Sequence, residues 1–330
     1  MIMIFYDYIS ANHNKHKISV CYQYCPIAQS EGFLSLRIMY YVVYGLLYAV
    51  SLLPLQILYL FSDFTYFLLY YVIGYRKKVV MTNLLQAFPE KTEKERISIA
   101  KKFYRNLTDT FIETIKAFSV SEKFINKHCT ANFPVIHRLE EKGKSFQIHP
   151  AHHFNWEWAN LHFPLHFKMP LLVVYMPLSN KIFEKIFFKN RSRFGSIMLP
   201  ATDMRKSYMP WRNKPHILAL VADQNPGHPG NAYWLNFFNK PAPFIKGPER
   251  SAKDKGCAVV FVFLKKLKRG YYDTEFVLAT EDASSLQTTE LTKMYIATLT
   301  QRMREQPENW LWSHRRWKWE WKPGYGEIIN

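Results

Sequence analysis

Residues 149 to 158 read His-Pro-Ala-His-His-Phe-Asn-Trp-Glu-Trp, and they hold the groups best suited to moving a proton. His152 and Glu157 stand five positions apart. An imidazole titrating near ~6.5 takes a proton from a hydroxyl at neutral pH. A carboxylate folded back onto the other ring nitrogen fixes the tautomer and stabilises the imidazolium that results. Across a strand-to-helix turn this spacing lets Glu157 reach His152 with both facing one cleft. Histidines at 149, 152 and 153 also admit a metal reading. No HExxH accompanies them, and the adjacent His152 and His153 would point apart on a strand. No metal site is expected, and His149 and His153 are assigned to packing.

The elements that must hold this pair alternate. Short apolar runs over 145–148, 171–175, 196–199, 216–222, 257–264 and 271–279 predict strands. Helical patterns over 155–162, 181–193, 204–212 and 286–305 lie among them. The alternation argues for an α/β fold with a mixed, largely parallel sheet flanked by helices. Such sheets place their sites at the carboxyl ends of strands. His152 falls there, and so do Asp223-Gln224 and Tyr175-Met176-Pro177. Upstream, Thr92-Glu93-Lys94-Glu95 is a capping box. Behind it Ile97, Ala100, Tyr104, Leu107, Phe111, Ile115 and Phe118 predict an amphipathic helix that serves as scaffold.

At 330 residues the chain suffices for one large domain or two small ones. A formal charge of +18 points to an anionic partner: nucleic acid, an anionic bilayer or a phosphorylated lipid. Aromatic residues make up 17%, with 21 Tyr and 9 Trp, and such rings favour the membrane–water boundary. An anionic membrane surface is therefore expected and no nucleic acid. Cys21, Cys25, Cys129 and Cys257 are scattered, with one C-x3-C pair, as expected of free thiols in a reducing compartment.

Residues 1–32 show no periodicity and are set apart as a leader or upstream start, without the marks of a signal peptide. From Ile38 to Ser62 no charge interrupts 25 residues. As a helix this run reaches about 37 Å, more than the ~30 Å hydrocarbon layer. One membrane-spanning anchor is expected. The stretch Phe64 to Tyr75 is too short to span and is assigned to the interface or the domain surface. Arg76-Lys77-Lys78 then marks the cytosolic side. The expected layout is a leader over 1–32, an anchor with interfacial segment over 33–75, and a catalytic domain over 76–330.

The string AHHFNWEW, Ala151 to Trp158, resembles the active-site motif of the late lipid A acyltransferases. These lauroyl and myristoyl transferases lie within the lysophospholipid acyltransferase superfamily, and their motif commonly reads Gly-His-aromatic-Gly-Asn-Trp-Glu. Other blocks agree in order: YRKKVVMTNLLQAFPEKTEKER, YMPLSNKIFEKIFFKNRSRFG, LVADQNPG, FNKPAPFIKGPE and PENWLWSHRRWK. The resemblance runs from about Phe33 to Lys318. Ala151 stands where Gly is usual, and His153-Phe154 replace an aromatic–Gly pair. Met176 stands where many members carry Arg, so Arg191 or Arg193 would serve as the anion-binding arginine.

The resemblance implies a glycerophosphate-acyltransferase-like fold at the inner membrane and no cofactor. It also implies acyl transfer from a thioester of acyl carrier protein to a hydroxyl of a lipid A precursor. His152 would be the general base and Glu157 its partner. The alkoxide would attack the thioester directly, and no GxSxG nucleophile elbow is present. Backbone N–H groups where the 155–162 helix begins at Asn155, or Arg191 or Arg193, would hold the oxyanion. Asp223 and Gln224 would position the acceptor or link to the histidine, unless they simply cap a turn. Gly247 and Glu249 occupy the place of a phosphate or acyl-pocket loop, or form a plain turn. The tail with Trp310, Trp312, His314, Arg315, Arg316, Trp317 and Lys318 is assigned to headgroup contacts. Two alternatives stay open: acylation of a lysophospholipid or amino-acid lipid, and a non-catalytic basic membrane protein that binds anionic lipid or nucleic acid.

Overall fold

The structure is a computed structural model and describes residues 26–329. Cys21, Cys25 and most of the expected leader lie outside the described residues. The apolar N-terminal region forms two helices rather than one. α1 covers Pro26–Ser51, and α2 covers Leu55–Phe67 with one wide further turn over Leu68–Val72. Pro54 separates them, because it has no N–H to donate and biases the residue before it away from the helix. The uninterrupted span expected over 38–62 is thereby corrected, and the stretch from Phe64 lies inside α2 rather than starting a new element. Among the described residues, Leu55–Val72 is the one helix long and apolar enough to cross a membrane. Its inner face buries Leu58, Ser62, Tyr66 and Leu69, while Leu60, Phe61, Phe64 and Phe67 stay exposed.

α3 (Lys77–Ala87) and α4 (Glu93–Lys116) follow. The capping box forms as expected: Glu95 N donates to Thr92 Oγ1 at 3.3 Å, and Thr92 N donates to the Glu95 carboxylate at 2.7 Å. α4 differs from the expected one-sided scaffold. Beside Phe103, Tyr104 and Leu107 it also buries Asn106, Asp109 and Glu113, so its polar face is covered too.

Beyond α5 (Glu122–His128), β1 (Cys129–Ala131) and α6 (Pro134–Glu141) the chain alternates. β2 (Phe146–Pro150), α7 (Trp156–His162), β3 (Leu171–Tyr175), α8 (Lys181–Arg191), β4 (Ile197–Pro200), α9 (Met204–Tyr208) and β5 (Ile217–Ala219) come first. Then follow the hairpin β6 (Ala232–Phe237) and β7 (Lys240–Ile245), α10 (Gly247–Lys255), β8 (Val259–Lys268), β9 (Tyr271–Thr280), α11 (Glu290–Glu305) and β10 (Ile328–Ile329).

The main sheet has the order β1-β9-β8-β2-β5-β3-β4, parallel at every pair except β8 with β9. The expected mixed, largely parallel sheet with helices on its faces is therefore present. Its central strands are apolar without break because both faces are covered. Along β8, Phe261 and Phe263 pack with Tyr295 and Leu299 of α11. The alternate residues Val260 and Val262 pack with Ile136 and Leu139 of α6. A small second sheet, β10-β6-β7, escaped the sequence reading. The tail overturns an expectation: Trp310, Trp312 and Arg316 are fully buried rather than at a surface, and only Arg315 and Lys318 of that string are exposed.

Candidate active site

β2 and β5 are parallel neighbours, with Ile148 level with Ala219, so both chains leave the sheet at one edge. Two residues past β2 comes His152, and four past β5 comes Asp223. The Asp223 carboxylate holds the histidine twice. Oδ1 lies 2.6 Å from imidazole Nδ1, and Oδ2 accepts the His152 backbone N–H at 2.8 Å. Trp310 Nε1 donates to that same Oδ2 at 2.8 Å. Burial pushes the Asp223 carboxyl up, but His152 and these donors outweigh it and hold the group well below the usual carboxylate range. In the neutral ring the proton therefore sits on Nδ1 and Nε2 carries the free lone pair. Nε2 makes no hydrogen bond among the described residues, and the side chain is 23% exposed.

The partner expected for His152 was Glu157, and the structure gives that place to Asp223. Glu157 lies in the first turn of α7, buried, with its carboxylate turned to Arg191 at the end of α8. Arg191 Nε donates to Oε2 at 2.9 Å and Nη2 to Oε1 at 2.5 Å, a fork-to-fork pair. Trp156 Nε1 adds a third donor at 3.2 Å. Burial raises the Glu157 carboxyl, and Arg191 more than reverses this, so it is lowered overall. A carboxylate committed to a guanidinium has no oxygen aimed at the imidazole.

Other assignments move for similar reasons. Asn155 caps α7: its Oδ1 accepts from Glu157 N at 3.1 Å and Trp158 N at 3.2 Å. Those two N–H groups are thus taken, and neither they nor the Asn155 side chain are left to hold an oxyanion. Arg193 is not a phosphate fork, since Nη1 donates to Ala117 O at 2.5 Å and Nη2 to Val120 O. Glu249 is buried and accepts Thr289 N at 2.5 Å and Thr292 N at 3.1 Å, at the start of α11. It anchors a helix rather than a substrate. Gly247 sits exposed at the first turn of α10, and a Cβ there would meet no neighbour. Gln224 is half-buried beside Asp223 and makes no hydrogen bond among the described residues. His149 lies 3.0 Å from the Gln147 amide and His153 packs edge-on against Phe263. Burial pushes their imidazoles down to about 3 and about 4, so both stay neutral in the core.

Two roles escaped the sequence reading: that of Trp310, assigned there to headgroup contacts, and that of Glu113. Trp310 holds Asp223, as described. Glu113, on the buried polar face of α4, accepts Asn155 Nδ2 at 2.9 Å and Tyr272 OH at 2.6 Å on Oε2, and Tyr59 OH at 2.7 Å on Oε1. It joins α2, α4, β9 and the motif itself. Burial pushes its carboxyl up to about 7, against the pull of Lys266 and of its hydrogen bonds. The one local signal was a carboxylate recurring at i, i+4 with Asp109. The tyrosines that answer it are 54 and 159 residues away.

A largely parallel α/β sheet that presents an aspartate-backed imidazole at its carboxyl edge belongs to the class of folds equipped to draw a proton from a hydroxyl. The reaction is specified by kinship. Residues 28–319 match the family model described as bacterial lipid A biosynthesis acyltransferase, and the chain belongs to that family. It is an enzyme that transfers acyl groups in lipid A biosynthesis. Among curated proteins, none matches the chain.

Proposed function

We propose that this chain is a membrane-anchored O-acyltransferase that moves a fatty acyl chain from an acyl carrier protein thioester directly to a hydroxyl of a lipid A precursor. The observation that carries the reading is His152, with Nδ1 held by Asp223 and Nε2 without a partner among the described residues. In the reaction Nε2 takes the acceptor's hydroxyl proton as its oxygen attacks the thioester carbonyl. The tetrahedral intermediate collapses, the C–S bond breaks, and the departing thiolate recovers the proton from the imidazolium. Asp223 stabilises that imidazolium. Gln224, next to Asp223 in the chain and without a hydrogen bond among the described residues, would supply a side-chain donor for the oxyanion. The Glu157–Arg191 pair holds α7 against α8 beneath the motif.

The bare face of α2 supports attachment to the inner membrane, with residues 33–75 as the anchoring segment and 76–330 as the cytoplasmic catalytic domain. Tyr59 and Ser62 of α2 donate to Glu113 and Asp109, and Asp63 pairs with Arg269 at 2.7 Å. Ties to charged groups at mid-helix favour a helix lying in the interface over one crossing it. The charge of +18 suits both an acidic carrier protein and an anionic headgroup.

The test is acyl transfer by the purified protein, with carrier-protein and coenzyme A thioesters compared and lipid products read by mass spectrometry. The His152→Ala variant should lose about a thousandfold or more of the rate while its thermal unfolding is unchanged. Undiminished transfer by that variant would sink the mechanism. Acylation of lysophospholipid alone would replace the acceptor.

A further inference from the structure

A cavity of about 580 Å³ lies away from His152. It opens between α2, α4 and the turn from β8 to β9, and five of its lining residues are cations: Lys102, Arg105, Lys266, Lys268 and Arg269. Three carboxylates share the lining, Asp63, Asp109 and Glu308. Two of them are already matched. Lys266 Nζ lies 3.0 Å from Asp109, while Arg269 bridges Asp109 at 2.6 Å and Asp63 at 2.7 Å. Lys102, Arg105 and Lys268 form no ion pair among the described residues, and Glu308 is the one lining carboxylate that likewise forms none. The pocket therefore offers a net positive mouth whose frame is fixed by its own salt-bridge network.

Its position adds a second constraint. Arg105 lies over the ring of Tyr66, 5.1 Å from the centroid, and Tyr66 belongs to the buried face of α2. On the same helix Phe64 and Phe67 are exposed. A group in the pocket thus sits beside apolar surface that can take hydrocarbon tails, the arrangement a lipid headgroup requires. The far wall connects to the catalytic edge: Asn309 lines the pocket, its carbonyl accepts Phe154 N at 3.1 Å, and the next residue, Trp310, holds Asp223.

We propose that this pocket is a second binding site, for the phosphate monoester of a membrane lipid headgroup. Lysine supplies point charge and Arg105 a planar fork, the pair of donors that suits a dianionic phosphate. The proposal rests on the membrane reading given above but not on the chemistry at His152.

The test is partition of the full-length protein onto vesicles of phosphatidylcholine doped with phosphatidic acid, a monoester, or with phosphatidylglycerol, a diester, at matched surface charge. Wild type should favour the monoester vesicles. The triple variant Lys102→Ala, Arg105→Ala, Lys268→Ala should lose that preference and bind them about a hundredfold weaker. A control with Lys94→Ala, Lys123→Ala and Lys127→Ala removes the same charge elsewhere and should keep the preference. His152→Ala should keep it too, so failure here and failure of the mechanism are told apart. Equal loss in both triple variants, or no monoester preference in wild type, overturns the site. Saturation by inorganic phosphate alone, with no gain from vesicles, overturns the lipid assignment. Unchanged thermal unfolding confirms that each variant is folded.

Discussion

Two buried carboxylates hold the segment from His152 to Asn155, one from each side, and they are built differently. Asp223 accepts from His152 and Trp310 and leaves the far imidazole nitrogen unpartnered among the described residues. Glu113 accepts from Tyr59, Tyr272 and Asn155, and both its oxygens are occupied inside the protein. The first cluster is open at the end where a substrate would arrive, and the second is closed. Their electrostatics differ in the same sense: Asp223 is held well below the usual carboxylate range, whereas burial lifts Glu113 to about 7. An open cluster can do chemistry, and a closed one can only position. Substitutions that treat the two alike should therefore be read out differently.

The largest effect should come from the open side. Asp223→Asn keeps the size of the side chain but removes the charge that fixes the Nδ1 proton and stabilises the imidazolium. Turnover should fall about a hundredfold to ten-thousandfold, with little change in KM. A loss below tenfold would mean that Asp223 only caps the turn. Glu157→Gln separates the structure from the sequence expectation. It breaks a buried, forked ion pair and strands Arg191, so it should cost about 3–5 kcal/mol of stability by chemical denaturation. If the protein kept its stability and lost turnover as Asp223→Asn does, Glu157 would be the imidazole's partner after all.

The closed side should show itself through pH. A carboxyl whose folded value is raised gives stability that is complete below the unfolded value, about 4.3. That stability is lost as pH rises through the folded value, about 7. Wild type should therefore lose roughly 3 kcal/mol between pH 4 and 8 from this group. The groups facing it, Tyr59, Tyr272, Asp109 and Lys266, share in setting that value. Glu113→Gln places an amide among three donors and should start less stable at pH 5, yet lack the decline. Denaturation at the two pH values measures both, and an unchanged decline would exclude Glu113 as its source.

How much of this could be read from the chain depends on how far each partner lies along it. The Thr92–Glu95 box is complete within four residues and formed as read. Leu171–Tyr175 was legible because a strand covered on both faces must be apolar throughout. His152 was legible from its type and its place at a strand end. Its partner was legible only as one option: Asp223 was offered as a link to the histidine beside two other roles, while Glu157 was preferred because it is near in sequence and Asp223 is 71 residues away, brought close only by the pairing of β2 with β5. The tail misled for another reason. Interleaved Trp and Arg look the same in a sequence whether rings meet headgroups or, like Arg316 over Phe237 and Phe244, each other.

The smallest predicted effects make the sharpest comparison, because each removes one donor from one carboxylate. Trp310→Phe deletes an N–H at 2.8 Å from Asp223, and Tyr272→Phe deletes an O–H at 2.6 Å from Glu113. A hydrogen bond to a charged group contributes about 1.5–3 kcal/mol in either place. In the open cluster that change loosens the carboxylate that holds His152, so Trp310→Phe should lower turnover about tenfold. In the closed cluster it reaches only the frame, so Tyr272→Phe should lower stability by about 1.5–3 kcal/mol at pH 8 and leave turnover within twofold. The stability cost should shrink at pH 5, where Glu113 is protonated and no longer needs the donor. Equal losses of turnover in the two variants would show that the clusters act as one, with Glu113 coupled through Asn155 to the chemistry and not merely to the fold.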